Sequence, residues 1–263
     1  MDVEAFAFIV DVFEMVLLAV TVVYLFRHSD ASRQRSPIVF LGFSYAVLLV
    51  SNLYWIAYEL MTREAIYEFS AIDIASAGLY LLAGASIAML LDEREGLDLP
   101  VFVGSGIFSI GQAVLWVIWT NMWLKDVLGC LPIWYMVYYL VRGLKRIRAF
   151  SHVERVALVV VVAAVAALQV GSFVVWDTFG SALDITSGIL CLVVYFGLVA
   201  KLYLTNKAEG IGGKVVGYAF SALLWALCSM YLMYEPLYSI FLLLSVLMMG
   251  VTAVLVVKRV ERA

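Results

Sequence analysis

Apolar runs of about twenty residues recur along the whole chain, each long enough to cross ~30 Å of hydrocarbon as a helix. Nine can be drawn: Phe6–Phe26, Ile38–Leu60, Ala71–Leu91, Val101–Trp123, Val127–Val141, Val156–Trp176, Leu183–Leu204, Val215–Tyr234 and Leu237–Val257. Inside a bilayer the backbone must satisfy its own N–H and C=O groups, which leaves only helices and closed barrels. A barrel needs short segments of alternating polarity, and the sequence has none. It therefore predicts an all-α polytopic membrane protein, a single transmembrane domain over residues 1–263. The composition agrees: 65% of the residues are hydrophobic and only 14% charged, with a mean hydropathy of +1.03. Soluble domains stay near half apolar.

Prolines and charges order these runs. Pro37, Pro100 and Pro236 each stand just before a segment, where a missing N–H costs nothing. Pro132 falls inside the fifth and shortest segment, Val127–Val141, which is expected to tilt, kink or insert only in part. The expected count is nine helices, or eight if this segment does not span. The start, Met1-Asp2-Val3-Glu4, is acidic where a cleavable signal would be basic, so the first helix is expected to insert and stay. With the N-terminus outside, 15 of the 17 Lys and Arg fall on the cytoplasmic side; Arg63 and Lys125 are the exceptions. This predicts a cell-membrane protein with a cytoplasmic C-terminus. The run Arg142-Gly143-Leu144-Lys145-Arg146-Ile147-Arg148 fits either topology signalling or a grip on anionic lipid. Cys130, Cys191 and Cys228 lie in apolar runs without CxxC spacing and read as packed thiols. His28 and His152 sit in basic loops, outside any metal or catalytic constellation.

One seven-residue pattern occurs twice. Ser70-Ala71-Ile72-Asp73-Ile74-Ala75-Ser76 returns as Ser181-Ala182-Leu183-Asp184-Ile185-Thr186-Ser187, with five positions identical and an Ile/Leu exchange at a sixth. Each copy follows a run closed by an aromatic-acid pair, Tyr58-Glu59 or Trp176-Asp177, and an amide, Asn52 or Gln169, lies one or two turns earlier. The copies are four segments apart and share one orientation. They suggest parallel repeat halves, 1–124 and 125–235, about an axis along the membrane normal, with an extra helix at 237–257. Asp73 and Asp184 are expected to open their segments. Ser-x-x-Asp at a helix start is also capping chemistry, which accounts for both copies without a binding role.

Twelve of the twenty carboxylates fall on the outer side or in the outer half, against two basic residues. Glu14 stands out because it lies roughly 12 Å beyond Phe6 along a helix. A carboxylate at that depth needs a cavity, a partner or a proton, and such residues are functional candidates. Asp11 is on the same face, and neighbouring acids in low dielectric suit proton handling. A neutral Glu14 hydrogen-bonded to another helix is the plainer alternative. Other stripes gather similar chemistry: Tyr45, Asn52 and Glu59; Asp73, Ala77, Tyr80 and Gly84; Gln112, Trp116, Trp119 and Trp123; Asp184, Gly188, Cys191 and Tyr195. The candidate ligand-binding set is Glu14, Asp11, Asn52, Glu59, Asp73, Tyr80, Gln112, Trp116, Gln169, Asp177, Asp184 and Tyr195.

An acidic, aromatic-lined vestibule attracts cations by its field and holds them by carboxylate and cation–π contacts. The leading expectation is a carrier or channel for a small cationic solute or protons, with the lipid bilayer as its surroundings. A receptor, sensor or accessory subunit is the second; with short loops and a tail ending at Ala263, it would signal through a cytoplasmic partner. A lipid-modifying enzyme is the third, pairing Glu14 with Asp73 or Asp73 with Asp184 as acid and base. Enzymatic activity is the less expected, since metal-ligand spacing, a nucleophile elbow, a Walker loop and CxxC are all missing. No cofactor and no nucleic-acid partner is expected. Lys201 lies at the end of its segment, which argues against a mid-membrane retinal Schiff base.

Overall fold

The computed structural model describes residues 3–29, 35–62, 70–91, 96–120, 122–147, 150–175, 178–204, 214–219, 222 and 234–261. Its long elements are α1 (Val3–Ser29), α2 (Ser36–Thr62), α3 (Ala71–Leu91), α4 (Leu99–Thr120), α5 (Trp123–Ile147), α6 (His152–Val174), α7 (Thr178–Leu204) and α8 (Glu235–Val260). Among the described residues all eight are long and apolar enough to cross a membrane, and the chain is an all-α polytopic membrane protein. Pro37, Pro100 and Pro236 each occupy the second position of a helix, within the turn whose N–H groups have no intrahelical acceptor. The expected segment Val215–Tyr234 falls mostly outside the described residues; residues 214–219 are helical.

Several boundaries differ from expectation: Trp123, expected to close the fourth segment, instead opens α5. The fifth segment is a full helix of 25 residues, with Pro132 inside it, long enough to span. Its apolar window looked short because charges begin at Arg142. That guanidinium is buried, donates to the Tyr138 hydroxyl at 2.6 Å and lies 5.7 Å from the centre of its ring, so the helix continues through it. The seventh helix begins at Thr178, not Leu183. Asp184 therefore does not open it but lies in its second turn, and Ser181 is not its N-cap.

The chain divides into two compact units, one of residues 1–14 and 147–252, the other of residues 15–146 and 253–263. In the first, α6 and α7 pack as an antiparallel hairpin. Ser151 and Glu154 close the start of α6 as a capping box, and Glu154 also meets Lys201 of α7 at 2.6 Å. At the other end of the hairpin, Gly180 lies so close to the end of α6 that a Cβ there would collide with the Val175 carbonyl. Between these ends Val165, Cys191 and Tyr195 form a core with Phe241 of α8.

In the second unit α2 packs against α3, and hydroxyls bind carbonyls across the pair: Ser44 to Leu79 at 2.9 Å and Ser86 to Pro37 at 2.8 Å. Such bonds let a polar group lie buried in an apolar setting. The parallel helices α3 and α5 touch where Gly84 meets Tyr135 and the Met136 backbone. Trp134 of α5 donates to the Phe102 carbonyl of α4 at 3.0 Å. At the end of α3, Arg146 and Arg259 donate to the Leu91 and Leu90 carbonyls, supplying donors that the last turn lacks.

Apolar side chains are exposed along the whole length of these helices. On α6 they include Val153, Val156, Val159 and Val160, while Thr21, Ser187 and Thr252 are buried. These three hydroxyls bond carbonyls three or four residues back in their own helices. Apolar outward faces with internally satisfied polar groups are what a lipid surrounding requires.

Candidate functional site

In the first unit, an acidic group gathers around the start of α8. Asp184 is 1% exposed, and its Oδ2 accepts from the Tyr234 backbone N–H at 3.1 Å, immediately before α8. That N–H is one of the donors a helix start leaves without an intrahelical acceptor, so Asp184 caps α8 from another helix. One turn further along α8 is Tyr238, whose phenol is reached by the charges of both Glu14 and Asp11. Glu14 is 2% exposed, and its Oε1 has no hydrogen-bond partner among the described residues. Asp11, one turn earlier on α1, is half-buried and within electrostatic reach of Glu14. The Gln169 side chain of α6 also has a buried Nε2 without a described partner. Tyr195 instead packs in the apolar core with Val165, Cys191 and Phe241.

Asp73 belongs to the second unit, and its surroundings are of another kind. Ser70 precedes α3, and Asp73 Oδ2 reaches back to its backbone N–H at 2.7 Å and its hydroxyl at 3.3 Å. This is the return half of a capping box, with Asp in the position usual for Glu. The other oxygen, Oδ1, meets Lys125 Nζ at 3.0 Å. Both oxygens are engaged, so this carboxylate closes α3 and ties it to the start of α5. The remaining residues of this unit spread over two helices and the α3 core. Asn52 is half-buried on α2, Tyr80 is buried on α3, and Gln112 and Trp116 are half-buried one turn apart on α4. The Trp116 ring lies against Gly129 of α5. Glu59 is helical, its side chain lying outside the described residues, as does all of Asp177.

The structure thus puts Asp11 and Glu14 within electrostatic reach of Tyr238, and sets Asp184 at the start of the same helix. Tyr238 escaped the sequence reading because α8 stands outside the duplicated pattern, and Tyr234 entered it only as the end of the eighth segment. Lys125 was legible only as one of two basic residues on an acidic side, a scarcity that makes pairing with a carboxylate expected. Ser105 and Ser109, one turn apart on α4, are also buried with hydroxyls that have no described partner.

Asp98, just before α4, illustrates an ordinary surface acid in the same chain. Its carboxylate meets Lys145 at 2.6 Å, and the Tyr138 hydroxyl lies 3.3 Å from its backbone nitrogen. The Lys145 hydrogen bond holds its carboxyl below the usual range, helped by the Val101 N–H and the Lys145 and Arg142 charges. A depressed carboxyl contributes stability above its unfolded titration and loses it as pH falls through the folded one. Asp98→Asn is therefore expected to lower the melting temperature near neutrality, with the gap to the parent closing in acid. Equal gaps at both ends of a pH series would show that the ion pair contributes nothing.

Among the described residues no three His, Cys, Asp or Glu come together as metal ligands. What the first unit offers is a buried carboxyl with a second acid and a phenol in electrostatic reach, groups that accept cations or exchange protons. No protein-family model, curated protein or solved structure matches the chain.

Proposed function

We propose that this integral membrane protein is a carrier or channel for a small cationic species, a solute or the proton, and that Glu14 is its central binding residue. The observation that carries this reading is Glu14 itself: 2% exposed in an apolar helix, with one oxygen unbonded among the described residues. A buried carboxylate is costly unless a cation or a proton meets it, and selection retains such residues in membranes for ion pathways. Asp11 adds negative field on the same helix face, and Tyr238 adds a phenol that can contact a cation by its ring or oxygen. The distribution of Lys and Arg supports an outside N-terminus, so that the start of α1 and the acids behind it open to the non-cytoplasmic side of a cell membrane.

A thermal-shift screen of the purified protein against inorganic cations, amines and a pH series tests the reading. A ligand that binds only the folded state raises the melting temperature, by an increment set by concentration over Kd. One cation class, or acid itself, is expected to stabilise the parent and to lose that effect in Glu14→Gln. Stabilisation that survives the substitution would remove Glu14 from the site.

A further inference from the structure

We infer that the species Glu14 takes is the proton, with Asp11 as the relay between it and water. This inference rests on the carrier reading above and narrows its substrate class. Metal cations are poorly served by the site. A hard cation takes six or more oxygens, and the described residues form no cluster of three ligating acids. Asp184, at the start of α8, has Oδ2 engaged by the Tyr234 N–H. An organic cation needs room and several contacts, whereas Glu14 is 2% exposed. A proton needs only one free carboxyl oxygen, and Glu14 Oε1 is such an atom among the described residues.

The neighbours are those a relay requires. Asp11 lies one turn closer to the start of α1 and is half-buried, which places a second carboxyl between Glu14 and that end of the helix. Tyr238 of α8 lies within electrostatic reach of both acids and adds a phenol, a group able to donate a hydrogen bond. In the loading step hydronium gives its proton to the Asp11 carboxylate, leaving water. Asp11 then passes that proton to Glu14 and returns to its charged form. Release to water regenerates the Glu14 carboxylate and hydronium, so charge and atoms balance.

The test uses the full-length protein in liposomes, with protons as the probe. Infrared spectra recorded across a pH series read the carbonyl stretch of a protonated carboxyl, and an entrapped pH dye reads proton flux under a clamped potential. The parent is expected to show a titrating carboxyl band that Glu14→Gln removes and Glu14→Asp retains at a shifted position. Flux should fall about tenfold or more in Glu14→Gln, and less in Asp11→Asn. Size-exclusion profiles of the variants confirm that they fold. A spectrum unchanged by Glu14→Gln overturns the inference. Flux of sodium or tetramethylammonium that depends on Glu14, without a titrating band, overturns the proton while keeping the carrier. A titrating band in liposomes that pass no cation supports proton binding at Glu14 and sinks transport instead.

Discussion

Replacing Gly180 with alanine is expected to destabilise the α6–α7 hairpin by about 3 kcal/mol or more, at or beyond the upper end of ordinary overpacking. The added Cβ would collide with the Val175 carbonyl oxygen and fall 2.9 Å from its carbon. Both are backbone atoms and cannot swing aside as a flexible side chain could. Relief therefore requires the first turn of α7 to move from the last turn of α6, at the same end as the buried Asp184. Gly197 on the same helix supplies the control, because a Cβ there meets nothing within 4 Å. Gly197→Ala should be neutral or stabilising by about 0.5–1 kcal/mol, from helix propensity alone. Thermal or detergent-mediated unfolding of the two variants measures both. Equal stability would mean that the close approach at Gly180 does not exist.

The second large effect separates the two aspartates of the duplicated pattern. Asp184→Ala is expected to cost about 1–3 kcal/mol, since it removes the acceptor for the Tyr234 N–H and leaves that donor at the start of α8 without it. Asp184→Asn keeps a carbonyl oxygen at the same place and should retain much of the stability. Asp73→Asn should cost about 1 kcal/mol or less, because its ion pair with Lys125 is partly exposed and its oxygen can still accept from Ser70. Lys125→Ala should match it. Unfolding measured for Asp184→Ala and Asp73→Asn side by side checks the ranking. Nearly identical residues in the two copies would then have unequal roles, and an equal cost at the two positions would contradict the structure.

The reasons for that inequality are local to each copy. Ser70 truly precedes α3, so Ser-x-x-Asp works there as capping chemistry. Around Asp184 the same letters lie inside a helix, because α7 starts earlier at Thr178. The sequence pointed to both residues but could not tell the two settings apart, since Thr178, Gly180 and Ser181 read as a loop and cap before an apolar run although they already lie in the helix. The stripe Asp184, Gly188, Cys191 and Tyr195 was legible from helical spacing alone, and all four are buried. Tyr195, included there as a binding residue, lies in the apolar core with Phe241. A buried aromatic has the same spacing whether it faces a ligand or another helix, so periodicity cannot separate these roles.

Membrane helices are the part of this protein that the amino-acid order determined unaided. Each backbone N–H finds its acceptor four residues away, and an apolar run of sufficient length has no other way to satisfy its polar groups in hydrocarbon. The depth of Glu14 follows from the same counting. Only the tertiary structure decided what each carboxylate meets: Lys125 at the start of α5 for Asp73, and a backbone N–H 50 residues further on for Asp184. Those partners arrive through helix packing, which depends on small contacts such as Gly84 against Tyr135 and Gly180 against Val175. Such contacts depend on the shapes of residues far apart in the chain, to which a local pattern of polarity is blind.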